Sequence, residues 1–139
     1  MDILTTSYFQ DKNKLEVKTL INKLVEYDLQ FIDRIAEFLS IILKDKKLKI
    51  KGGIILSIRH EAIYINHLWI DETYRKQGYG SKLLMMAEEE GRKRGCQFSI
   101  VDTMEFEAEK FYEKNGYESI GRIENYIQKY DRVFFRKSL

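Results

Sequence analysis

Between Ile63 and Val101 the hydrophobic period of the chain changes twice, and this stretch constrains the fold more than any other. Ile63-Tyr64-Ile65-Asn66-His67-Leu68-Trp69-Ile70 is rich in the β-branched and aromatic residues that suit a half-buried strand. After the loop Arg75-Lys76-Gln77-Gly78-Tyr79-Gly80 the period becomes helical from Ser81, with Leu83, Leu84, Ala87 and Gly91 on one face. Glu88 with Arg92, Glu89 with Lys93 and Glu90 with Arg94 are i, i+4 pairs that read as a solvated outer face. Gly95 supplies a left-handed helix stop, and Cys96 to Val101 reads as a second strand. A helical crossover between two strands of one sheet sets them parallel.

The remaining elements follow from sparse punctuation, since the chain has no proline and 8 glycines. Asn13 to Ile32 carries Leu15, Val17, Leu20, Ile21, Leu24, Val25 and Leu29 at the spacing of an amphipathic first helix. Ile35 to Lys44 and Leu48 to Ile58 form a hairpin around the polar turn Asp45-Lys46-Lys47, and Arg59-His60-Glu61 is a second turn. Glu105 to Lys114 is a short helix stopped at Asn115-Gly116. Tyr117 to Tyr126 and Arg132 to Lys137 close the chain as a strand pair. The expected architecture is one mixed α/β domain over residues 1–139, a length ordinary for a single domain.

Charge bounds the partners: 24 Lys and Arg against 22 Asp and Glu leave a formal net charge of +2, which is not the basic footprint of a nucleic-acid binder. The short clusters Lys44-Asp45-Lys46-Lys47 and Arg92-Lys93-Arg94 read as solvated faces. No run approaches the roughly 20 apolar residues of a membrane span, and the amino-terminal residues do not form a signal peptide. With Cys96 as the single cysteine and only His60 and His67, neither a disulfide nor a zinc cluster is expected. These features point to a cytoplasmic protein with no metal, no nucleic acid and no membrane among its partners.

The loop carries the chemistry. Gly78 and Gly80 let the backbone approach a diphosphate at the positive end of a helix, and Arg75 and Lys76 add positive charge. A P-loop would need Gly-Lys-Ser/Thr, and a dinucleotide fingerprint would place its third glycine or alanine at Leu83; neither fits. On the loop alone, two glycines that merely shape the start of a helix fit as well as an anion site.

Downstream residues separate these readings. Arg75, Gly78 and Gly80 match the Arg/Gln-x-x-Gly-x-Gly/Ala signature of the GNAT superfamily of acyl-CoA-dependent N-acetyltransferases, which the chain resembles. A second signature of that family resembles Ala108-Glu109-Lys110-Phe111-Tyr112-Glu113-Lys114-Asn115-Gly116-Tyr117. The resemblance runs over essentially the whole chain. It implies a mixed, mostly antiparallel sheet flanked by helices, with a central parallel strand pair splayed at the acetyl-CoA site. Pantetheine would then pair with the backbone of Leu68, Trp69 and Ile70, and the diphosphate would rest on Gln77, Gly78, Tyr79, Gly80 and Ser81, beside Arg75 and Lys76. Tyr112 would protonate the departing thiolate as general acid. One departure stands out, because many relatives carry a CoA-holding asparagine where this chain has Glu105; either Glu105 turns to solvent or that contact is absent.

The resemblance implies acetyl transfer from acetyl-CoA to a primary amine of an unidentified small molecule or peptide, without a covalent acyl-enzyme. The alternative on the same fold is a CoA-binding sensor or interaction module without catalysis. An alkylamine with a pKa of about 10.4 must lose a proton before it attacks. Asp102, His67, Asn66 (as a water holder), Glu72 and Glu105 are the candidate groups to receive it, although Asp102 with Glu105 three residues on also fits a capping box. Trp69 and Tyr64 fit a substrate pocket or the core. Cys96, at a strand start after Gly95 and away from the glycine motif, reads as inert packing. The apolar segment Ile123 to Phe135 offers an edge for a homodimer.

Overall fold

The computed structural model describes residues 3–33 and 36–139. The chain divides into two compact units, Met1–Ile35 and Ala36–Leu139. In the first, helix α1 spans Leu15–Asp28, shorter at both ends than its periodicity predicts. Before it, Asn13 N–H donates to Asp11 Oδ1 at 2.9 Å in a turn. After it, Gln30 and Phe31 switch to i−3 hydrogen bonds on Tyr27 and Asp28. The Tyr27 and Phe31 rings meet at 5.4 Å.

The second unit holds a six-stranded sheet in the order β1-β2-β3-β4-β6-β5. Its strands are β1 (Glu37–Lys44), β2 (Ile50–Arg59), β3 (Ala62–Ile70), β4 (Phe98–Met104), β5 (Glu118–Ile127) and β6 (Tyr130–Ser138), with helices α2 (Tyr79–Lys93) and α3 (Glu105–Lys114). The β1–β2 hairpin turns on Asp45, whose Oδ1 accepts from the N–H groups of Lys47 and Lys49 at 2.8 and 3.0 Å. The predicted start of this hairpin at Ile35 lies outside the described residues. β3 and β4 are parallel and the other pairs antiparallel, as the crossover through α2 requires.

The carboxyl-terminal strands form a pair, but β6 inserts between β4 and β5 and so carries hydrogen bonds on both sides. Val133 and Phe135 are consequently fully buried with Ile54, Leu56 and Ile63 at the core. Of the apolar segment 123–135, only the β5 part lies on a sheet edge. Cys96 is buried in the same core.

α2 buries Leu83, Leu84, Ala87 and Gly91, the predicted face. A Cβ on Gly91 would stand 2.8 Å from Ile63 Cγ2, so glycine lets the helix lie close against the sheet. Gly95 and Gly116 adopt left-handed φ values of 77° and 88° and end α2 and α3.

The expectation that Glu88 belongs to a solvated face is corrected: Glu88 is 2% exposed. Its carboxylate oxygens accept from Lys137 Nζ at 3.0 Å, and Oε1 accepts from the Tyr117 hydroxyl at 3.2 Å. Arg92, its expected partner, stays at 3.9 Å. No i, i+4 pattern reveals a partner 49 residues away. Removing one partner of a buried pair leaves an uncompensated charge, which typically costs about 3 kcal/mol or more, whereas apolar replacement of both is often neutral. Lys137→Met should therefore lower the urea unfolding free energy by about 3 kcal/mol, and a Glu88→Leu, Lys137→Met double variant should recover most of that loss.

Candidate active site

The site begins with a fault in the sheet. β3 and β4 pair from Ala62↔Phe98 to Ile65↔Val101 and no further. On the other side of β3, Leu56 pairs with Ile65 and Ile55 with His67, so Asn66 is an extra, bulged residue. The Ser57 hydroxyl holds the bulge by donating to Asn66 Oδ1 at 2.7 Å. The bulge shifts the alternation of side chains by one. Ile63 and Ile65 are buried in the core, and after Asn66 it is Leu68 and Ile70 that pack against it. His67 and Trp69 fall on the opposite face and are exposed. Beyond the last rung, the edge of β3 that faces β4 is free to bind a chain-like ligand.

A braced turn links this strand to α2. Asp71 N–H donates to the Lys51 carbonyl at 2.8 Å, and Asp71 Oδ1 accepts from Thr73 N–H and Oγ1 at 3.0 and 2.6 Å. These Thr73 bonds, with Lys51 beside the other oxygen, hold the Asp71 carboxyl below its ordinary range. Arg75 Nε donates back to the Ile70 carbonyl at 3.0 Å. Gln77 Nε2 donates to the Thr73 carbonyl at 3.1 Å, so its side chain secures the turn. Lys76 takes the left-handed region at φ 60°, and Gly78 does so at φ 86° as the residue preceding α2.

The first helical bond runs from Lys82 N–H to the Gly78 carbonyl at 3.0 Å. The N–H groups of Tyr79, Gly80 and Ser81 thus have no carbonyl within the helix and present its positive end. A Cβ at Gly78 would meet nothing within 4 Å, which shows an open cradle above the backbone. A Cβ at Gly80 would press on the Phe111 ring at 3.2 Å, so this glycine lets α2 and α3 approach. Backbone donors, an open face and two flanking cations fit a diphosphate.

Splay, turn and helix start line one cleft of about 890 Å³. It brings together Leu68, Trp69, Ile70, Arg75, Lys76, Gly78, Tyr79, Gly80 and Ser81 with His67, Asp102 and Tyr112. Of the residues singled out from sequence for the cofactor or the chemistry, Gln77, Glu72 and Glu105 do not line it. Glu107, Phe111 and Lys114 line the cleft too and were not singled out, although all three lie within or beside the second signature at helical spacing. A break at Ala108, with φ −149°, separates the first turn of α3 from the rest.

Tyr112 is 4% exposed and its ring is set by edge contacts with Phe111 at 5.1 Å and Tyr117 at 5.5 Å. Among the described residues none hydrogen-bonds its hydroxyl. Burial, and then the charges of Glu107 and Asp102, push the phenol well above its ordinary range, so it keeps its proton at any physiological pH.

Asp102 lies in β4 and does not cap α3, whose preceding residue is Met104 with no side-chain cap. The capping expectation fails because Asp102 is committed elsewhere. Its Oδ1 accepts from the Tyr64 hydroxyl at 2.9 Å, and its Oδ2 accepts from Arg132 Nε at 2.7 Å and from Arg132 Nη2. Burial first, then the bond and charge of Asp102, raise the Tyr64 phenol. Glu105 does not line the cleft. Its Oε1 accepts from Asp131 N–H at 3.0 Å, and Arg122 stands 3.6 Å from its Oε2. Glu105 is thus committed to Asp131 and Arg122 and not to the cleft.

The chain is similar to known acetyltransferases. The family model of the acetyltransferase (GNAT) family matches residues 2–117. An acetyltransferase of Agrobacterium fabrum is 36% identical over 107 residues, covering 76% of this chain and 78% of that protein. Blasticidin-S acetyltransferase of Streptomyces morookaense is 33% identical over 79 residues, 56% of this chain and 58% of that one. The crystal structure of an acetyltransferase from Bacillus cereus superposes with a TM-score of 0.83 at 29% identity, covering 96% of this chain and 98% of its own. With the splayed parallel pair and the glycine-led helix in place, the chain belongs to the GNAT acetyltransferase family.

Proposed function

We propose that the protein moves an acetyl group from acetyl-CoA directly to a primary amine, with a small molecule or peptide as acceptor. The observation that carries this reading is the alignment, in one cleft, of a helix-start anion cradle, an unpaired strand edge and a buried, protonated tyrosine. The N–H groups of Tyr79, Gly80 and Ser81, with Arg75, Lys76 and the Gln77–Gly78 backbone, hold the diphosphate. The Leu68–Ile70 backbone orients pantetheine along β3. The likeness to blasticidin-S acetyltransferase favours a small-molecule acceptor. A cytoplasmic location follows from dependence on acetyl-CoA.

The thioester supplies the activated acyl carbon, and the protein supplies alignment and proton transfer. An acceptor amine enters from the face that carries His67 and Trp69. His67 receives its proton, directly or through water, since the amine is otherwise about 99.9% protonated at neutral pH. A backbone N–H of β3 beside the bulge stabilises the developing oxyanion. Tyr112 then donates its proton to the thiolate.

Calorimetry with acetyl-CoA tests the cradle: the native protein should bind, and a Gly78→Asp, Gly80→Asp double variant, whose carboxylates repel the diphosphate, should not. Absence of binding to the native folded protein at millimolar cofactor rejects the reading. Tyr112→Phe should lower the rate of CoA release with an amine panel by about 10²-fold or more while the acetyl-CoA Kd holds. Acetyl-CoA binding without turnover on any amine would instead make the protein a CoA-binding sensor or interaction module.

A further inference from the structure

On the acetyl-CoA reading above, the diphosphate sits at Gly78–Ser81 and pantetheine runs back along β3 from Ile70 toward Asn66. That distance is about four residues of strand, roughly 13 Å. The acyl group therefore reaches the blind end of the cleft, where β3 and β4 rejoin at the Ile65↔Val101 rung. The core side of this end is close-packed, with Ile65, Val101 and Thr103 respectively 3%, 2% and 7% exposed.

On the other side, Asp102 is the first β4 residue past the rung. The Tyr64 hydroxyl on β3 and the Arg132 guanidinium on β6 both donate to it, so one carboxylate ties three adjacent strands together where the splay begins. The Tyr126 ring on β5 lies 5.0 Å from the guanidinium and extends the tie to a fourth strand. Tyr112 and Glu107 on α3, His67 on β3 and Arg59, whose charge acts on Tyr64, are further titratable groups near this end.

We propose that Tyr64, Asp102 and Arg132 form a clamp that fixes the depth of the cleft and thereby the length of acyl chain admitted, with Asp102 a positioning residue and not the acceptor of the amine's proton. Both Asp102 oxygens already accept hydrogen bonds, and its side chain is only 10% exposed. Taking a further proton would break the clamp. A chain longer than acetyl has to part the last rung or displace the clamp, because close-packed walls resist added methylenes.

Calorimetric Kd values for acetyl-, propionyl- and butyryl-CoA test this without knowledge of the acceptor. The native protein should lose about tenfold in affinity per added methylene, the scale set by a well-fitted apolar pocket. Tyr64→Phe, which keeps the ring and removes only the hydroxyl, and Asp102→Asn should bind acetyl-CoA and shrink the acetyl-to-butyryl ratio at least fivefold. A general base would leave that ratio untouched, as would a strut that only stabilises the fold. Thermal melts identify any variant that fails to fold, and Tyr64→Phe then decides alone. The clamp is overturned if native protein binds butyryl-CoA as tightly as acetyl-CoA, or if folded Tyr64→Phe keeps the native ratio. Failure of the native protein to bind any of the three overturns the acetyl-CoA reading itself, an outcome distinct from loss of the clamp alone.

Discussion

The extra residue at Asn66 is the constraint on which the active cleft depends. A parallel pair that continued past Ile65↔Val101 would spend the β4-facing backbone groups of β3 on β4 and leave no edge for a ligand. The bulge does two things at once: it accompanies the parting of the strands, and it re-phases the side chains. Leu68 and Ile70 continue the core that Ile63 and Ile65 begin, while His67 and Trp69 turn to the opposite face. Ser57, fully buried, anchors the bulged asparagine and fixes its place in the sheet.

Around this gap the charges sort by position. Positive ends collect where the diphosphate would lie: the start of α2, Arg75 and Lys76. Carboxylates near the cleft are mostly drawn into internal pairs, Asp102 by Arg132 and Glu105 by Arg122 and the Asp131 amide. Arg122 also pairs with Glu109 and with Asp131 at 2.9 Å, so the β5–β6 hairpin and α3 are joined by one ion network. Such partly exposed pairs contribute little stability individually. Their effect here is to withdraw negative charge from a cleft suited to an anionic ligand.

Tyr112 depends on the same packing. Its neighbour Tyr117 donates to Glu88 and accepts from the Ser99 hydroxyl at 2.8 Å, which ties the ring cluster of α3 to β4, α2 and β6. Burial both fixes the Tyr112 ring and keeps its proton, so its placement and its protonation have one cause.

The sequence by itself determined the elements and the glycine-led start of α2, where the proposed anion cradle lies. The period change at Ser81, the stops at Gly95 and Gly116, and Gly78 with Gly80 are local signals, because backbone sterics and helix ends act over a few residues. The same locality made Arg75 to Ser81 and Tyr112 legible through two short signatures. Only the tertiary structure decided that β6 runs between β4 and β5, that Glu88 is buried against Lys137, and that Asp102 is held by Tyr64 and Arg132. These partners lie 30 to 49 residues apart in the chain. No periodicity relates them, and only the sheet order brings them within hydrogen-bonding distance.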